Sequence, residues 1–494
     1  MPRTEYLLTL GVMTLTSIAL AACASPGMQS ETVYDLSQTP TSLEIRQIGS
    51  VDATEYTLMV PENRSDADSR DIALRFVVLP ALDPSDEVPV LYLAGGPGGA
   101  ATGTAQSRRW PLFDALRQNR DVILLDQRGT GRSERPPVCL SSVGWAPNEI
   151  GNRANFIAKQ SAAFEECKEF WTEAGVDQHG YTSKESAADI AAISDVLDTR
   201  LALLGISYGT HLALATLNDH PASVERAVLV SVEGLDQTVK LPARTDAFVA
   251  RLQSALDESS IAEGGAPYPD LSVALRRALN LIDSEPPMIE AFAGRGEPPV
   301  ERTVGAFAVQ RAISFALSDP DRAHQTASGI LAMAADDPDY GFMTFFAGRL
   351  MPNQIELRVM PTMMDLASGL SPQRAKLVET QAQTALLGDS TNFPMPHLDD
   401  PAADYRLPDS FREDPLSDVP VLVVSGTLDG RTYPEAALEA TRGLSARTVI
   451  TVENAGHNLF FDHPDVVPYI VDFLDGEPLT DTTLVAKLPE LSER

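Results

Sequence analysis

Apolar and polar positions change rhythm along this chain, and the changes divide it. From Tyr56, "EYTLMVPENR" and "DIALRFVVLPA" alternate or run apolar around a polar turn, which predicts a β-hairpin. "VPVLYLAGGPGG" and "DVILLDQRGTGRS" then read as short buried strands, each ending in glycines. "SAADIAAISDVLDT", Ser186 to Thr199, has helical spacing and leads into "RLALLGISYGTHLALA", Arg200 to Ala215. There an apolar strand breaks at Gly205 and an apolar helix takes over. "RAVLVSVEG" is the next strand; "VPVLVVSGTLDG" and "RTVITVENAGH" come much later, before the amphipathic "DVVPYIVDFLDG". Short apolar strands alternating with helices predict an α/β protein: a mostly parallel sheet with helices on both faces. In such sheets reactive groups gather at the carboxyl ends of the strands.

Between about Leu235 and Pro415 the strand rhythm stops. "DAFVARLQSALDE", "LSVALRRALNLI", "AFAVQRAISFALS" and "RAKLVETQAQTALLG" read as helices joined by Pro-rich connections, and no repeat of fixed period is present. A helical block between two strands of one sheet is an insertion, expected here after the sixth strand and folded over the sheet's end as a lid. A chain of 494 residues also exceeds the usual ceiling for one hydrophobic core. The expected division is therefore a leader over 1–22, a tether over 23–54, a core in two parts over 55–234 and 416–478, a helical cap over 235–415 and a tail over 479–494.

The leader, "MPRTEYLLTLGVMTLTSIALAACAS", has one Arg before an apolar run from Tyr6 to Leu20. The run is too short for a good spanning helix and ends in small residues, as an export signal does. "LAAC", Leu20 to Cys23, resembles the lipobox of bacterial lipoproteins, in which the cysteine is lipidated and becomes residue one. The alternative is a chance cysteine beside a signal-peptidase site. The expectation is an exported protein held to a bacterial membrane by lipid on Cys23 alone, on the periplasmic side or at the cell surface. The residues after it, rich in Ser, Thr, Gln and Pro, read as a flexible tether. Two cysteines remain, Cys139 and Cys167. In an oxidising compartment an even pair points to a disulfide, with two buried free thiols as the alternative. Neither has the His or Cys neighbours of a metal site, so no metal is expected.

Charge narrows the partners. A net charge of −31, from 69 acidic and 38 basic residues, repels phosphates and excludes a nucleic-acid partner. It serves solubility, or it attracts cationic substrates.

The break at Gly205 carries the chemistry. Gly205-Ile206-Ser207-Tyr208-Gly209, after a strand and before a helix, matches a nucleophile elbow, whose strained turn exposes the serine hydroxyl. A serine needs a base. Of the seven histidines, His457 alone follows a sheet strand, in "NAGHN". His211 lies inside the elbow helix and reads as packing or surface, His220 and His463 adjoin prolines, and His179, His324 and His397 follow no sheet strand. The base needs an acid to hold its tautomer; Asp429 in "VVSGTLDG" ends the preceding strand, one strand-helix-strand step away. Acyl transfer needs donors for an oxyanion: the Tyr208 N–H, and one from Leu93-Ala94-Gly95-Gly96-Pro97-Gly98-Gly99, where Gly96 is favoured. A dinucleotide fingerprint is the rival for that loop, and Pro97 with the missing G-x-G-x-x-G spacing argues against it. Asp126 and Arg128 of "DQRGTGRS" read as braces of their loop.

Together, "GGPGG", "DQRGTGRS", "GISYGT", "SGTLDG" and "AGHN" resemble the proline iminopeptidase and tripeptidyl-aminopeptidase (TAP-like) group of α/β-hydrolases, from about residue 55 to 475. "VPENR" and "VEGLDQTVKLP" look like its exported branch. One departure is Ala94, where the iminopeptidases usually carry His. The resemblance implies the α/β-hydrolase fold and an exopeptidase that works from a free peptide N-terminus. Such an enzyme holds an ammonium group near the serine, and Glu233, at the end of "LVSVEG", is the candidate partner. A carboxylate that caps the next turn is its plainer reading. Three functions stay open: an aminopeptidase acting through Ser207, His457 and Asp429 with no cofactor, an esterase or other acyl hydrolase with the same residues, and a non-catalytic surface binding protein.

Overall fold

The computed structural model describes residues 34–46, 48–294, 296–317, 322–398 and 401–489. The leader and Cys23 lie outside the described residues.

Ten strands make the main sheet: β1 Leu36–Ile45, β2 Gly49–Pro61, β3 Asp71–Leu79, β4 Val90–Leu93, β5 Val122–Asp126, β6 Leu201–Ile206, β7 Val224–Val230, β8 Val421–Gly426, β9 Arg447–Glu453 and β10 Thr482–Val485. Their spatial order is β1-β2-β3-β5-β4-β6-β7-β8-β9-β10. The first three strands are antiparallel to their neighbours, and β4 to β10 run parallel. The central strands are apolar throughout because both faces are covered. Leu91, Leu93, Leu201, Leu203, Leu229, Val421 and Val423 pack into one cluster. Their immediate neighbours Tyr92, Ala202, Leu204, Val228, Leu422 and Val424 pack into the other. That alternation is the two-residue period of the pleat written in apolar side chains. Losing one such side chain, as in Leu203→Ala, costs roughly 2–5 kcal/mol.

Residues 36–54, expected in the tether, form β1 and the start of β2, an antiparallel pair running from Leu36 opposite Leu58 to Ile45 opposite Gly49. Leu43, Ile45, Val51 and Ala53 turn inward and are buried, while Ser37, Gln38, Thr39 and Pro40 stay exposed. A half-buried edge hairpin has the composition of a linker, so its period was hidden. The additional strand also means that the cap follows β7, the seventh strand, and not the sixth. At the other end, the expected tail supplies β10, four residues paired parallel to β9; so short a strand leaves almost no periodicity to read.

The cap block carries helices Pro242–Ala262, Leu271–Ser284, Ala306–Ala316, Ala323–Met333, Gly341–Leu350, Val359–Ser368 and Pro372–Ala382. It is not free of strands. Met288–Ala291 pairs antiparallel with Val300–Thr303, and Glu356–Leu357 pairs with Cys139–Leu140. Phe248, Leu252, Leu256, Leu275, Val309, Ile313 and Met343 give the block a core of its own, shared with Trp145 and Phe156. Cys139 and Cys167 form a disulfide (S–S 2.03 Å) between that short pairing and helix Arg153–Glu173.

Candidate active site

Four strand ends build the site. β6 delivers Ser207 with φ 57° and ψ −126°, a backbone conformation that L-residues rarely adopt. The flanking glycines make that turn physically possible. A Cβ on Gly205 would stand 2.4 Å from the Gly209 carbonyl oxygen, and one on Gly209 would stand 2.1 Å from that of Leu93. The turn is pinned from both sides: the Ser207 N–H donates to the Val230 carbonyl at 3.0 Å, and Thr210 Oγ1 donates to the Ser207 carbonyl at 2.7 Å.

β8 ends in the loop that carries Asp429, fully buried. Its Oδ1 accepts the backbone N–H groups of Arg431 and Thr432, each at 2.8 Å, and its Oδ2 accepts Thr432 Oγ1 at 2.7 Å. The same Oδ2 faces His457 Nδ1 at 2.9 Å. Burial pushes the Asp429 carboxyl up, but the imidazole and the Thr432 donors outweigh it and hold the group below its ordinary value. His457 follows β9, and its carbonyl accepts Ser231 Oγ at 3.1 Å. With Nδ1 on Asp429, the ring nitrogen left for proton transfer is Nε2.

β4 ends in the glycine loop. Gly95 and Gly96 line a cavity of about 650 Å³ together with Ser207 and His457. Tyr208 heads the elbow helix Tyr208–Asp219, so its N–H belongs to the first turn and has no acceptor within the helix. Its side chain turns inward, with Oη 3.1 Å from Ser183 Oγ and 3.0 Å from Met364 Sδ.

Glu233 lies just past β7, almost buried, on the wall of the same cavity. Its Oε2 is ion-paired with Lys240 Nζ, and its N–H donates to Thr210 Oγ1 at 2.8 Å. A second carboxylate on that wall, Asp365, comes from cap helix Val359–Ser368. Burial, then the Glu233 charge, pushes it up to about 7 against the opposing pull of Lys240. The sequence reading missed Asp365, which looked like one acid in the Met-rich run "VMPTMMDLAS"; a lone charge in an apolar helix was the available signal. It also missed Thr432, three residues past Asp429 and next to Arg431, whose N–H two residues on closes the Asx turn.

The remaining candidates sit elsewhere. Cys139 and Cys167 form the disulfide and do not line the cavity. His211 is fully buried, with Nδ1 3.1 Å from the Gly234 carbonyl and Nε2 3.2 Å from Ser368 Oγ, and burial lowers its pKa. His397 faces Asp389 at 2.9 Å. Asp126 accepts Thr102 N–H at 3.0 Å and Thr102 Oγ1 at 2.6 Å, while buried Arg128 grips Asp189 at 2.8 and 2.7 Å; both brace their loop. Among the described residues no cluster of His, Cys, Asp and Glu could hold a metal ion, and no helix is long and apolar enough to cross a membrane.

Two family descriptions match this arrangement: alpha/beta hydrolase fold over residues 88–272, and TAP-like protein over residues 403–481. No curated protein matches the chain. Among solved structures it is similar to the proline iminopeptidase-related protein of Thermus thermophilus, at 20% identity over 85% of this chain and 97% of that one, with a TM-score of 0.37. The esterase of Exiguobacterium antarcticum matches at 13% identity over 84% and 98%, with a TM-score of 0.36. A meta-cleavage product hydrolase of Pseudomonas fluorescens matches at 14% over 82% and 95%, again with a TM-score of 0.36. With a parallel sheet, a serine elbow after β6 and both family matches in sequence order, the chain has the α/β-hydrolase fold and a C-terminal segment similar to TAP-like proteins.

Proposed function

We propose that the protein is a serine aminopeptidase. The observation that carries this reading is His457, paired with Asp429, lining the same cavity as the elbow serine and the Glu233 and Asp365 carboxylates. Ser207 Oγ attacks the scissile carbonyl while His457 Nε2 takes its proton. Asp429 holds the imidazole tautomer and stabilises the imidazolium. The Gly96 and Tyr208 N–H groups receive the oxyanion. The proton passes to the leaving amine, and water then repeats the sequence on the acyl-enzyme with His457 as base.

The Glu233 and Asp365 carboxylates favour a peptidase over an esterase. A substrate ammonium that shares Glu233 with Lys240 and lies beside Asp365 gains charge-assisted hydrogen bonds, and it lets Asp365 ionise where burial now opposes it. An uncharged ester has no use for these groups. The test compares an aminoacyl 4-nitroanilide with its N-acetylated form: the free amine should react at least tenfold faster, and equal rates would leave only an acyl hydrolase.

Export and anchoring form a separate proposal, motivated by "LAAC" at Leu20–Cys23 and by the Cys139–Cys167 disulfide, a bond of oxidising compartments. Labelled palmitate should enter the native protein and not Cys23→Ser; label in both would end that reading.

A further inference from the structure

The chain's 69 acidic residues outnumber its 38 basic ones, yet its cavity reverses the balance. The charged lining is Glu233 and Asp365 against Arg108, Arg109, Lys240, Arg311 and Arg431. Lys240 is taken by Glu233. Among the described residues, none of the four arginines is ion-paired, although acids abound elsewhere.

Each of the four stacks on a ring. Arg311 lies 4.3 Å from the Phe393 ring centroid and 5.2 Å from that of Phe156. Arg311 and Arg431 share Phe315, at 5.9 and 5.4 Å. Arg108 covers Phe461 at 4.5 Å and Arg109 covers Phe460 at 5.9 Å. An aromatic face orients a guanidinium without using up its N–H edge, so these cations are held in place with donors to spare. Arg311 is the extreme case. Its Nε is buried and has no hydrogen-bond partner among the described residues, and burial lowers its pKa to about 9. A guanidinium removed from water without a counter-charge is costly, and a planar anion that accepts two N–H bonds offsets that cost. Two of the others adjoin the catalytic groups: Arg109 reaches Asn458 Oδ1 at 2.5 Å, next to His457, and the backbone N–H of Arg431 donates to Asp429 Oδ1.

We propose that this arginine set binds a carboxylate of the substrate, so that the preferred peptides are short acids carrying charge at both ends. The proposal rests on the peptidase reading for the substrate's amine end only; the anion site stands on the arginines. The carboxylate is either a nearby C-terminus or an Asp or Glu side chain, which present the same group.

Calorimetry on full-length Ser207→Ala separates the cases without turnover. The probes are Ala-Ala-Ala as free acid, its C-terminal amide, and Ala-Ala-Glu amide. At least one carboxylate-bearing probe should bind tenfold or more tighter than Ala-Ala-Ala amide; tight binding of the free acid alone assigns the C-terminus, and of the Glu peptide a side chain. The advantage should shrink to within threefold in Arg311→Met or in Arg431→Gln. The latter sits at a half-exposed position and keeps the test alive should Arg311→Met not fold. Equal binding of all three probes, or an advantage that survives both substitutions, overturns the proposal. Acid-selective binding without cleavage by the native enzyme would sink the peptidase reading alone, whereas cleavage with no preference for acids would sink this one alone.

Discussion

Asp429, fully buried, and Asp365, partly exposed on the cavity wall, are both carboxylates, and they lie on opposite sides of the ordinary carboxylate range. Asp429, on the sheet side, accepts two backbone N–H groups and a threonine hydroxyl and faces an imidazole. Among the described residues no group donates to the Asp365 carboxylate on the cap side, and its charged neighbours are Glu233 and Lys240. Burial pushes both up; the donors decide the outcome. The cations do not divide so cleanly: Arg128 of the sheet loop is saturated by Asp189 and backbone carbonyls, whereas Arg311 of the cap keeps a bare Nε, as do Arg75 and Arg226 of the sheet. Of the two carboxylates, the sheet-side one has its donors in place before substrate arrives, and the cap-side one does not.

If that contrast is right, damage on the sheet side should be the more severe. Asp429→Asn should cut kcat on an aminoacyl anilide by roughly 10³–10⁴-fold, approaching Ser207→Ala, with circular dichroism unchanged; retention of a tenth of the activity would break the comparison. Next in size is the tie between the sides, because Cys139 lies in the strand pair that receives Glu356–Leu357 of the cap. Replacing both cysteines by serine should lower unfolding free energy by about 3 kcal/mol, read by chemical denaturation, and a change below 1 kcal/mol would show that the bond constrains little. Glu233→Gln should lower kcat/KM on free-amine peptides by about ten- to a hundredfold, with a smaller loss on an N-acetylated ester. Equal losses would make Glu233 a structural carboxylate.

The smallest effect belongs to Asp365. Its folded pKa near 7 lies above the ordinary 3.8, so the folded state binds the proton more tightly than the unfolded chain does. The stability it contributes is complete below about pH 3.8 and is lost as pH rises through about 7. Asp365→Asn should therefore gain on the native protein by a few degrees in Tm between pH 4 and pH 8. A Tm difference that is flat across that window would place Asp365 with Asp429 and erase the contrast.

The sequence was legible where local chemistry is strict. Gly205 and Gly209 stand against backbone carbonyls, the strands on either side of Ser207 are apolar on both faces, and His457 and Asp429 each follow such a strand. β1 and β10 were hidden because edge strands satisfy only one face and one row of hydrogen bonds, which leaves Ser, Thr and Gln where a periodic signal would stand. Asp365 and Arg311 were hidden for another reason. Each lies in a helix whose pattern reads as ordinary packing, and only the assembled cavity shows that neither is ion-paired among the described residues.

The two borders of the sheet carry a last consequence. β1 bears exposed polar residues and Pro40, which has no N–H to offer, and β10 is four residues long. A border interrupted by proline on one side and cut short on the other gives an incoming strand little to zip against. At high concentration, or crowded on a surface, neighbouring copies should resist fusing edge to edge into larger sheets.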